Sequence, residues 1–179
     1  AVIVVPRDAS RPAPLVFAFH GHGGKGTGME RRSNIEGLWP DAIVVYPDGL
    51  VGHKGKTDPE GVRTGWQTQL GEDGDRDLAF HDTMLAALRS QLSVDSERVY
   101  LMGHSNGSAF ASLLLNQRGD AIAATANMSA QPSARPAARP PAKPSTAPGD
   151  GVVRIWLEKK GRNGTPVWYL MAKDEGHGF

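Results

Sequence analysis

The stretch Val99-Tyr100-Leu101-Met102-Gly103-His104-Ser105-Asn106-Gly107 joins an apolar, β-type run to a serine that is flanked by glycines. Glycines two positions before and two positions after Ser105 leave room for a sharp turn that larger side chains would block. Residues 108–116 follow with a helical pattern. A strand, a tight turn and a helix in this order are typical of a nucleophile elbow, so the stretch predicts that Ser105 is an attacking hydroxyl.

Apolar runs on both sides of this stretch predict the rest of an α/β fold. Because these runs are apolar on both faces, they indicate a mostly parallel sheet covered by helices on each side. The clearest helix runs from about Asp77 to Leu92, where leucine and methionine recur at helical spacing. The predicted strands cover residues 1–5, 15–19, 42–46, 98–102, 121–128 and 166–171.

Length and composition fit a single domain that spans residues 1–179. The chain is 39% hydrophobic and 22% charged, which suits one core of ordinary size. A net charge of +1, with scattered basic residues, argues against a nucleic-acid partner. The absence of cysteine excludes disulfides, thiol catalysis and thiolate zinc sites. No apolar run approaches the roughly 20 residues needed to cross a bilayer, so we expect a soluble protein without a membrane partner.

One segment interrupts the alternation of strands and helices. Residues 131–148 contain six prolines, five alanines and three basic residues, which predicts an extended strap rather than core. Beyond it, residues 150–160 are expected to form a helix that Asp150 caps and Gly161 ends. Residues 149–179 are too few to fold alone, so we assign them to the same domain.

A histidine near the end of the chain is the candidate general base. His177 lies in a glycine-flanked loop, Glu175-Gly176-His177-Gly178-Phe179, just after the last predicted strand. Hydrolases with a nucleophile elbow carry their histidine in such a loop, after the nucleophile and the acid in chain order. The alternative is an ordinary exposed loop residue.

A second glycine-rich loop, His20-Gly21-His22-Gly23-Gly24, follows the predicted strand at 15–19. Glycines there allow backbone N–H groups to face a developing oxyanion. The expected donors are the main-chain amides of His22 and of Asn106, the residue after the nucleophile. The alternative is a tight turn without a catalytic role.

Two other chemistries compete for this loop. Gly21 to Gly26 also satisfies the dinucleotide-binding pattern G-x-G-x-x-G, with Asp48 about twenty residues further on. Against it, residues 28–34 leave no apolar stripe with which a helix could begin among the glycines. His20 and His22 would share one side of a continued strand and could hold a metal, but no acidic ligand is near in sequence. We therefore expect neither a cofactor nor a metal.

Residues 47–75, rich in Gly, Asp and Thr, are expected to form a long excursion loop in which an enzyme often meets its substrate. Trp66 lies within it, either as an aromatic wall for the substrate or as an anchor for the loop. Of the remaining histidines, His104 is expected to pack beside the elbow. His53 and His81 are expected on the surface or in a helix.

With these residues, the chain from 1 to about 144 resembles the polyhydroxybutyrate depolymerase and feruloyl esterase family of α/β-hydrolases. The resemblance lies in residues 14–21, 65–67, 77–80 and 98–107. It implies a carboxylic ester hydrolase, frequently exported, that acts on feruloyl, acetyl or polyhydroxyalkanoate-type esters. We therefore expect a secreted or periplasmic protein, from which any leader is absent or removed. Residues 164–179 instead resemble the end of the prolyl oligopeptidase catalytic domain, whose histidine matches His177.

The acid departs from both family patterns. Each family places its aspartate in a Gly-x-x-Asp-Pro type loop after a strand, and here the strap occupies that interval. Asp150 is the best remaining candidate, and its alternative role is the helix cap. Asp174 and Glu175 are too close to His177 in sequence, and Asp120 precedes a strand. The helix that normally follows the histidine is also missing, which predicts a shortened hydrolase whose uncovered edge favours a homo-oligomer.

These expectations combine into a serine carboxylesterase that works through an acyl-enzyme intermediate. Ser105 attacks the ester, His177 moves the proton and Asp150 orients the imidazole. Two alternatives remain open. The same residues could serve a peptidase or an acyltransferase, and a weak acid position would fit a hydrolase-like binding protein.

Overall fold

The computed structural model describes residues 1–8 and 11–128, together with the backbone of residues 153–159 and 166–172. The helices are α1 (Gly26–Ser33), α2 (Ile35–Leu38), α3 (Arg76–Gln91) and α4 (Asn106–Arg118). The strands are β1 (Val2–Val4), β2 (Ala13–Phe19), β3 (Ile43–Tyr46), β4 (Val94–His104), β5 (Ala124–Met128), β6 (Val153–Lys159) and β7 (Pro166–Ala172).

These strands form one sheet in the order β1-β3-β2-β4-β5-β7-β6. The five inner strands are parallel, and β1 and β6 pair antiparallel at the two edges. This confirms the predicted mostly parallel sheet. Because parallel strands end at the same edge, the loops that follow β2 and β4 meet there, where ligands bind in open α/β sheets.

The core lies on both faces of the sheet because successive residues of a strand point to opposite sides. All seven residues of β2 are buried. Leu15, Phe17 and Phe19 pack with the apolar side chains of α3 and α4. Val16 and Ala18 pack on the opposite face, with Met29 of α1 among their neighbours. Helices therefore cover both faces, as the doubly apolar strands predicted.

The prediction of a helix over residues 150–160 is wrong, because β6 occupies Val153–Lys159. Its alternation of apolar and polar residues suits a strand, and it pairs antiparallel with β7 along its whole length. Strand pairing outweighs the local capping signals. Asp150 itself lies outside the described residues, but the helix that it was expected to cap is not there.

The argument that no helix begins among the glycines is also wrong, because α1 starts at Gly26. Two contacts hold α1 in place. Met29 is buried, and the Gly26 amide donates to Asp48 Oδ1 at 2.7 Å. A Cβ at Gly26 would lie 2.2 Å from the carbonyl oxygen of Tyr46, so the helix start packs directly on β3.

Among the described residues, no helix combines the length and the apolarity that crossing a bilayer requires.

Candidate active site

Ser105 lies at the junction between β4 and α4 in a strained conformation. Its φ of 52° and ψ of −118° fall where residues other than glycine are rarely found. Such strain costs about 1–3 kcal/mol and persists only where the surrounding structure imposes it, as happens at functional sites. The strand, turn and helix predicted from the sequence are thus present, with the serine at the apex of the turn.

The glycines on either side of Ser105 have a steric reason. A Cβ at Gly103 would lie 2.4 Å from the carbonyl oxygen of Gly107, and a Cβ at Gly107 would lie 2.4 Å from that of Phe19. Both obstacles are main-chain atoms, which cannot rotate away as a flexible side chain could. Only glycine fits at either position.

Hydrogen bonds from α4 fix this turn against the neighbouring strand β5. The Ser105 amide donates to the carbonyl of Met128 at 2.9 Å. The Ser108 hydroxyl donates to the same carbonyl at 2.8 Å and accepts from the Met128 amide at 3.1 Å. One turn further along α4, the Ser112 hydroxyl accepts from Asn127 Nδ2 at 3.0 Å. The nucleophile candidate therefore stands on a rigid base.

The loop between β2 and α1, residues 20–25, lies against the elbow. A Cβ at Gly21 would lie 2.9 Å from His104 Nδ1 and 3.4 Å from Ser105 Cβ. The two amides predicted as oxyanion donors belong to His22 in this loop and to Asn106 at the start of α4. Within the described part of the chain, neither amide donates to a main-chain carbonyl. Asn106 directly follows Ser105, and His22 directly follows Gly21, which lies against the elbow.

His20 holds this loop to the chain beyond β3. Its Nδ1 donates to the Gly21 carbonyl at 2.8 Å, and its Nε2 accepts from the Gly49 amide at 2.9 Å. Burial lowers the pKa of His20, which keeps the ring neutral, as the accepting Nε2 requires. Both ring nitrogens are therefore engaged within the protein. No cluster of three or more metal-ligating side chains occurs among the described residues.

His22 forms a hydrogen bond with Asp58 that the sequence analysis did not anticipate. Its Nε2 lies 3.0 Å from Asp58 Oδ2, and the carboxylate is almost fully buried. The amides of Arg63 and Val62 donate to the same carboxylate at 2.9 Å and 3.2 Å. These hydrogen bonds, led by that of Arg63, hold the pKa of Asp58 below its usual range. Asp58 stood out in the sequence only as one of several acids in the excursion loop.

Trp66 is completely buried. Its ring stacks on Phe110 and meets Phe19 edge-on, and its Nε1 donates to the His20 carbonyl at 3.0 Å. Its main chain is bound on both sides by the Asn106 side chain, with N–H to Oδ1 at 2.8 Å and carbonyl to Nδ2 at 2.9 Å. The structure thus fits the loop-anchor alternative, and an indole without exposed surface does not fit a substrate wall.

The rest of the excursion loop is held largely by carboxylates that accept main-chain N–H groups. The Gln67 amide donates to Asp77 at 2.7 Å, and the Thr68 and Gln69 amides donate to Glu72 at 2.7 Å and 2.9 Å. Burial raises the pKa of Asp77, whose hydrogen bond from Gln67 opposes that shift. This loop has a defined shape although it contains little regular secondary structure.

The prediction that His53 and His81 lie on the surface or in a helix is confirmed for His81 and wrong for His53. His81 lies on α3, as expected for a helix residue, and is fully buried. His53 is neither on the surface nor in a helix. It is buried in the excursion loop, where its Nδ1 lies 3.0 Å from Asp73 Oδ2.

His177, Asp150 and the strap at 131–148 lie outside the described residues. The structure therefore brings together Ser105, His22, Asn106 and the main chain of Trp66, and the predicted base and acid remain predictions.

Comparison with known proteins shows that the sequence is similar to esterases. No family model matches the sequence. The esterase candidate NocK of Nocardia uniformis subsp. tsuyamanensis is 32% identical over 123 residues, covering 66% of this chain and 33% of NocK. The bifunctional acetylxylan esterase/xylanase XynS20E of Neocallimastix patriciarum is 26% identical over 133 residues, covering 71% of this chain and 17% of that enzyme. The chain spans a third or less of these curated relatives.

Solved structures agree on the fold. The acetyl xylan esterase of Aspergillus awamori superposes with a TM-score of 0.56 at 20% identity, over 70% of this chain and 44% of that one. The fluorophosphonate-binding serine hydrolase FphF of Staphylococcus aureus superposes with a TM-score of 0.56 at 16% identity, over 71% of this chain and 49% of that one. The chain therefore has an α/β-hydrolase fold.

Proposed function

We propose that this protein hydrolyses carboxylic esters with Ser105 as the nucleophile. The observation that carries the proposal is the strained Ser105 at the β4–α4 junction, with φ 52° and ψ −118°, against which the glycine-rich loop after β2 packs. Its Oγ forms a bond to the ester carbonyl carbon, and the amides of His22 and Asn106 stabilise the oxyanion. The proposed base His177 takes the Ser105 proton as this bond forms and returns it to the alcohol as the ester C–O bond breaks, and water then releases the acid from the acyl-enzyme.

His177 is the proposed general base, and the sheet order supports it. Across β4, β5 and β7, residues His104, Met128 and Leu170 lie level with one another. Two strand spacings separate β7 from β4, or about 10 Å. His177 follows the end of β7 at Ala172 by a segment that can span at most about 17 Å. Its imidazole is therefore within reach of Ser105.

Asp150 is the proposed acid that orients His177. Val153, the first residue of β6, pairs with Ala172, the last residue of β7. The chain therefore enters β6 at the same edge at which it leaves β7. Asp150 precedes Val153 by a segment that reaches about 10 Å. The described strand ends that lead to Asp150 and His177 thus lie at the edge of the sheet that carries Ser105, which supports both assignments.

The proposed substrates are acetyl or feruloyl esters or polyhydroxyalkanoates, in agreement with the family that the sequence resembles. The named activities of XynS20E and of the Aspergillus enzyme favour the acetyl ester. A secreted or periplasmic location and a homo-oligomeric state belong to the same proposal.

The test compares Ser105→Ala with wild-type protein on p-nitrophenyl acetate. Turnover should fall about 10⁴- to 10⁶-fold, because only the oxyanion hole and binding remain. The control is Ser90→Ala, which removes a hydroxyl that donates to the Ala87 carbonyl within α3, and it should leave turnover unchanged. A fluorophosphonate probe should label Ser105. Labelling at another residue, or an active Ser105→Ala variant, would refute the mechanism.

A further inference from the structure

We propose that the excursion loop sets the spacing of the oxyanion hole. Asp58, acting through the His22 side chain, and the Trp66 main chain, acting through the Asn106 side chain, position the two donor amides. The inference rests on the proposed function, because it concerns the amides that would receive the oxyanion at Ser105. It adds positioning roles for residues that touch neither the nucleophile nor the ester.

On one side, the His22 side chain is held by a carboxylate that is itself fixed. Asp58 accepts from His22 Nε2 at 3.0 Å and from the Arg63 amide at 2.9 Å through the same oxygen. Its other oxygen accepts from the Val62 amide at 3.2 Å. A buried carboxylate with these donors has one orientation, so the imidazole and the main chain that carries it are fixed as well.

On the other side, the Asn106 side chain forms hydrogen bonds with the main chain of Trp66 in the same loop. Its Oδ1 and Nδ2 bond the N–H and the carbonyl of Trp66, at 2.8 Å and 2.9 Å. Trp66 is fully buried and cannot shift without disturbing the aromatic core. The first residue of α4 is therefore tied to a rigid point of the loop.

Gly65 lies between the two attachments. A Cβ on Gly65 would approach His22 Nδ1 to 2.9 Å and Asn106 Oδ1 to 3.4 Å. Thr64 forms two hydrogen bonds with the loop that carries His22. The Gly23 amide donates to the Thr64 carbonyl, and the Thr64 hydroxyl donates to the Gly24 carbonyl, both at 2.7 Å. Residues 58–66 thus bridge two donors that are far apart in sequence.

Fixed spacing matters because oxyanion donors act over a narrow range, about 2.7–3.1 Å from the oxyanion. A displacement of about 1 Å can cost 100-fold in rate, whereas losing a donor outright costs about 10²- to 10³-fold. Poor positioning weakens contacts to the transition state more than contacts to the ground state. It should therefore lower kcat and leave KM nearly unchanged.

The test is a double-mutant cycle with His22→Ala, Asp58→Ala and the double variant, measured on p-nitrophenyl acetate. His22→Ala removes the imidazole and keeps the main-chain amide. Each single variant should lower kcat about 10- to 100-fold with KM within about twofold of wild type. If Asp58 acts through His22, the double variant should be no slower than the slower single variant.

Two further variants keep the test decisive. Asp58→Asn retains an oxygen that can accept a hydrogen bond from His22. Its kcat should therefore lie between those of wild type and Asp58→Ala. If Asp58→Ala does not fold, Asp58→Asn takes its place in the cycle. Asp95→Ala removes a carboxylate bonded to Arg98 at the opposite end of β4 and should leave kcat unchanged.

Losses that multiply in the double variant, a change confined to KM, or unchanged kcat in His22→Ala would each overturn the positioning role. The proposed function fails separately, through an inactive wild-type protein or an active Ser105→Ala variant. A refuted positioning role therefore leaves the nucleophile assignment untouched.

Discussion

Two glycine-rich loops meet at the site, one after β2 and one after β4, and they keep their shapes by different means. The elbow after β4 is shaped by close main-chain packing, because added Cβ atoms at Gly103 or Gly107 would strike main-chain atoms of Gly107 or Phe19 at 2.4 Å. The loop after β2 is held from outside by Gly49, Asp58 and Thr64. Main-chain packing around two glycines fixes the nucleophile, and hydrogen bonds from outside the loop fix the proposed oxyanion loop.

The largest effect should come from breaking the elbow with Gly107→Ala. The new methyl group would lie 2.4 Å from the Phe19 carbonyl oxygen and 2.6 Å from that of His20. Overpacking against main chain costs about 1–3 kcal/mol and sometimes more. We expect the free energy of unfolding to fall by about 3 kcal/mol, measured by urea denaturation, and esterase activity to be lost.

Gly28→Ala is the matched control for this substitution. Gly28 lies in α1, and a Cβ there would meet nothing within 4 Å. Alanine in a helix is more favourable than glycine by about 0.5–1 kcal/mol, so this variant should be slightly more stable than wild type. Equal destabilisation by the two alanines would show that the elbow is not specially constrained.

A smaller effect should come from loosening the loop after β2 with Thr64→Val, which has nearly the same shape. The substitution removes the hydroxyl bond to the Gly24 carbonyl and keeps the main-chain bond from Gly23. We expect a loss of about 1 kcal/mol in the free energy of unfolding. Turnover should fall by a modest factor, because the remaining contacts still hold the loop.

Thr83→Val provides the comparison for that loss. The Thr83 hydroxyl bonds the Ala79 carbonyl on the exposed side of α3, away from the site. Its removal should leave turnover at the wild-type value. If Thr83→Val and Thr64→Val reduce turnover alike, the outside support of the oxyanion loop is not specific.

The smallest effect should come from pH, through His20. Its Nε2 accepts from Gly49, so the loop after β2 needs a neutral ring, and burial lowers the pKa of His20. The unfolded histidine titrates near 6.5, so between the two pKa values the unfolded state binds more protons. Stability is therefore complete above about pH 6.5 and declines as the pH falls below it. Thermal unfolding between pH 5 and pH 8 should show this decline, with a shallower slope for His20→Gln.

His81→Leu tests whether the pH dependence of stability comes from His20 in the loop after β2 or from another buried histidine. Burial also lowers the pKa of His81, opposed by Asp82 and assisted by Arg118 and Arg89. This variant should also flatten the dependence of Tm on pH, but it should leave esterase turnover unchanged because His81 packs on Phe17 in the core. A slope that neither substitution alters would exclude both histidines as its source.

The difference between the two loops also explains what could be predicted from the sequence. The elbow could be predicted because its signature, an apolar strand followed by Ser105 between two glycines, lies within a few positions of Ser105. The central strands were readable because their apolar runs are buried on both faces. The pairing of His22 with Asp58 was not, because 36 residues separate them and nothing in the local pattern selects one acid of the loop.

Two errors have the same origin. Residues 153–159 were predicted as a helix from local caps, but pairing with β7 makes them a strand. α1 was dismissed for lack of an apolar stripe, yet one buried methionine and the close contact of Gly26 with β3 suffice to place it. In each case a contact distant in sequence decided the local structure.

The carboxylate acceptors of the excursion loop have a consequence for local unfolding. The amides of Arg63, Gln67 and Thr68 bond Asp58, Asp77 and Glu72 rather than the carbonyls of a strand or helix. Hydrogen exchange at such amides is slow only while the carboxylate stays in place. Protection from exchange in this loop should therefore mark the integrity of a few acidic side chains, so that one lost carboxylate exposes several amides together while the neighbouring sheet remains closed.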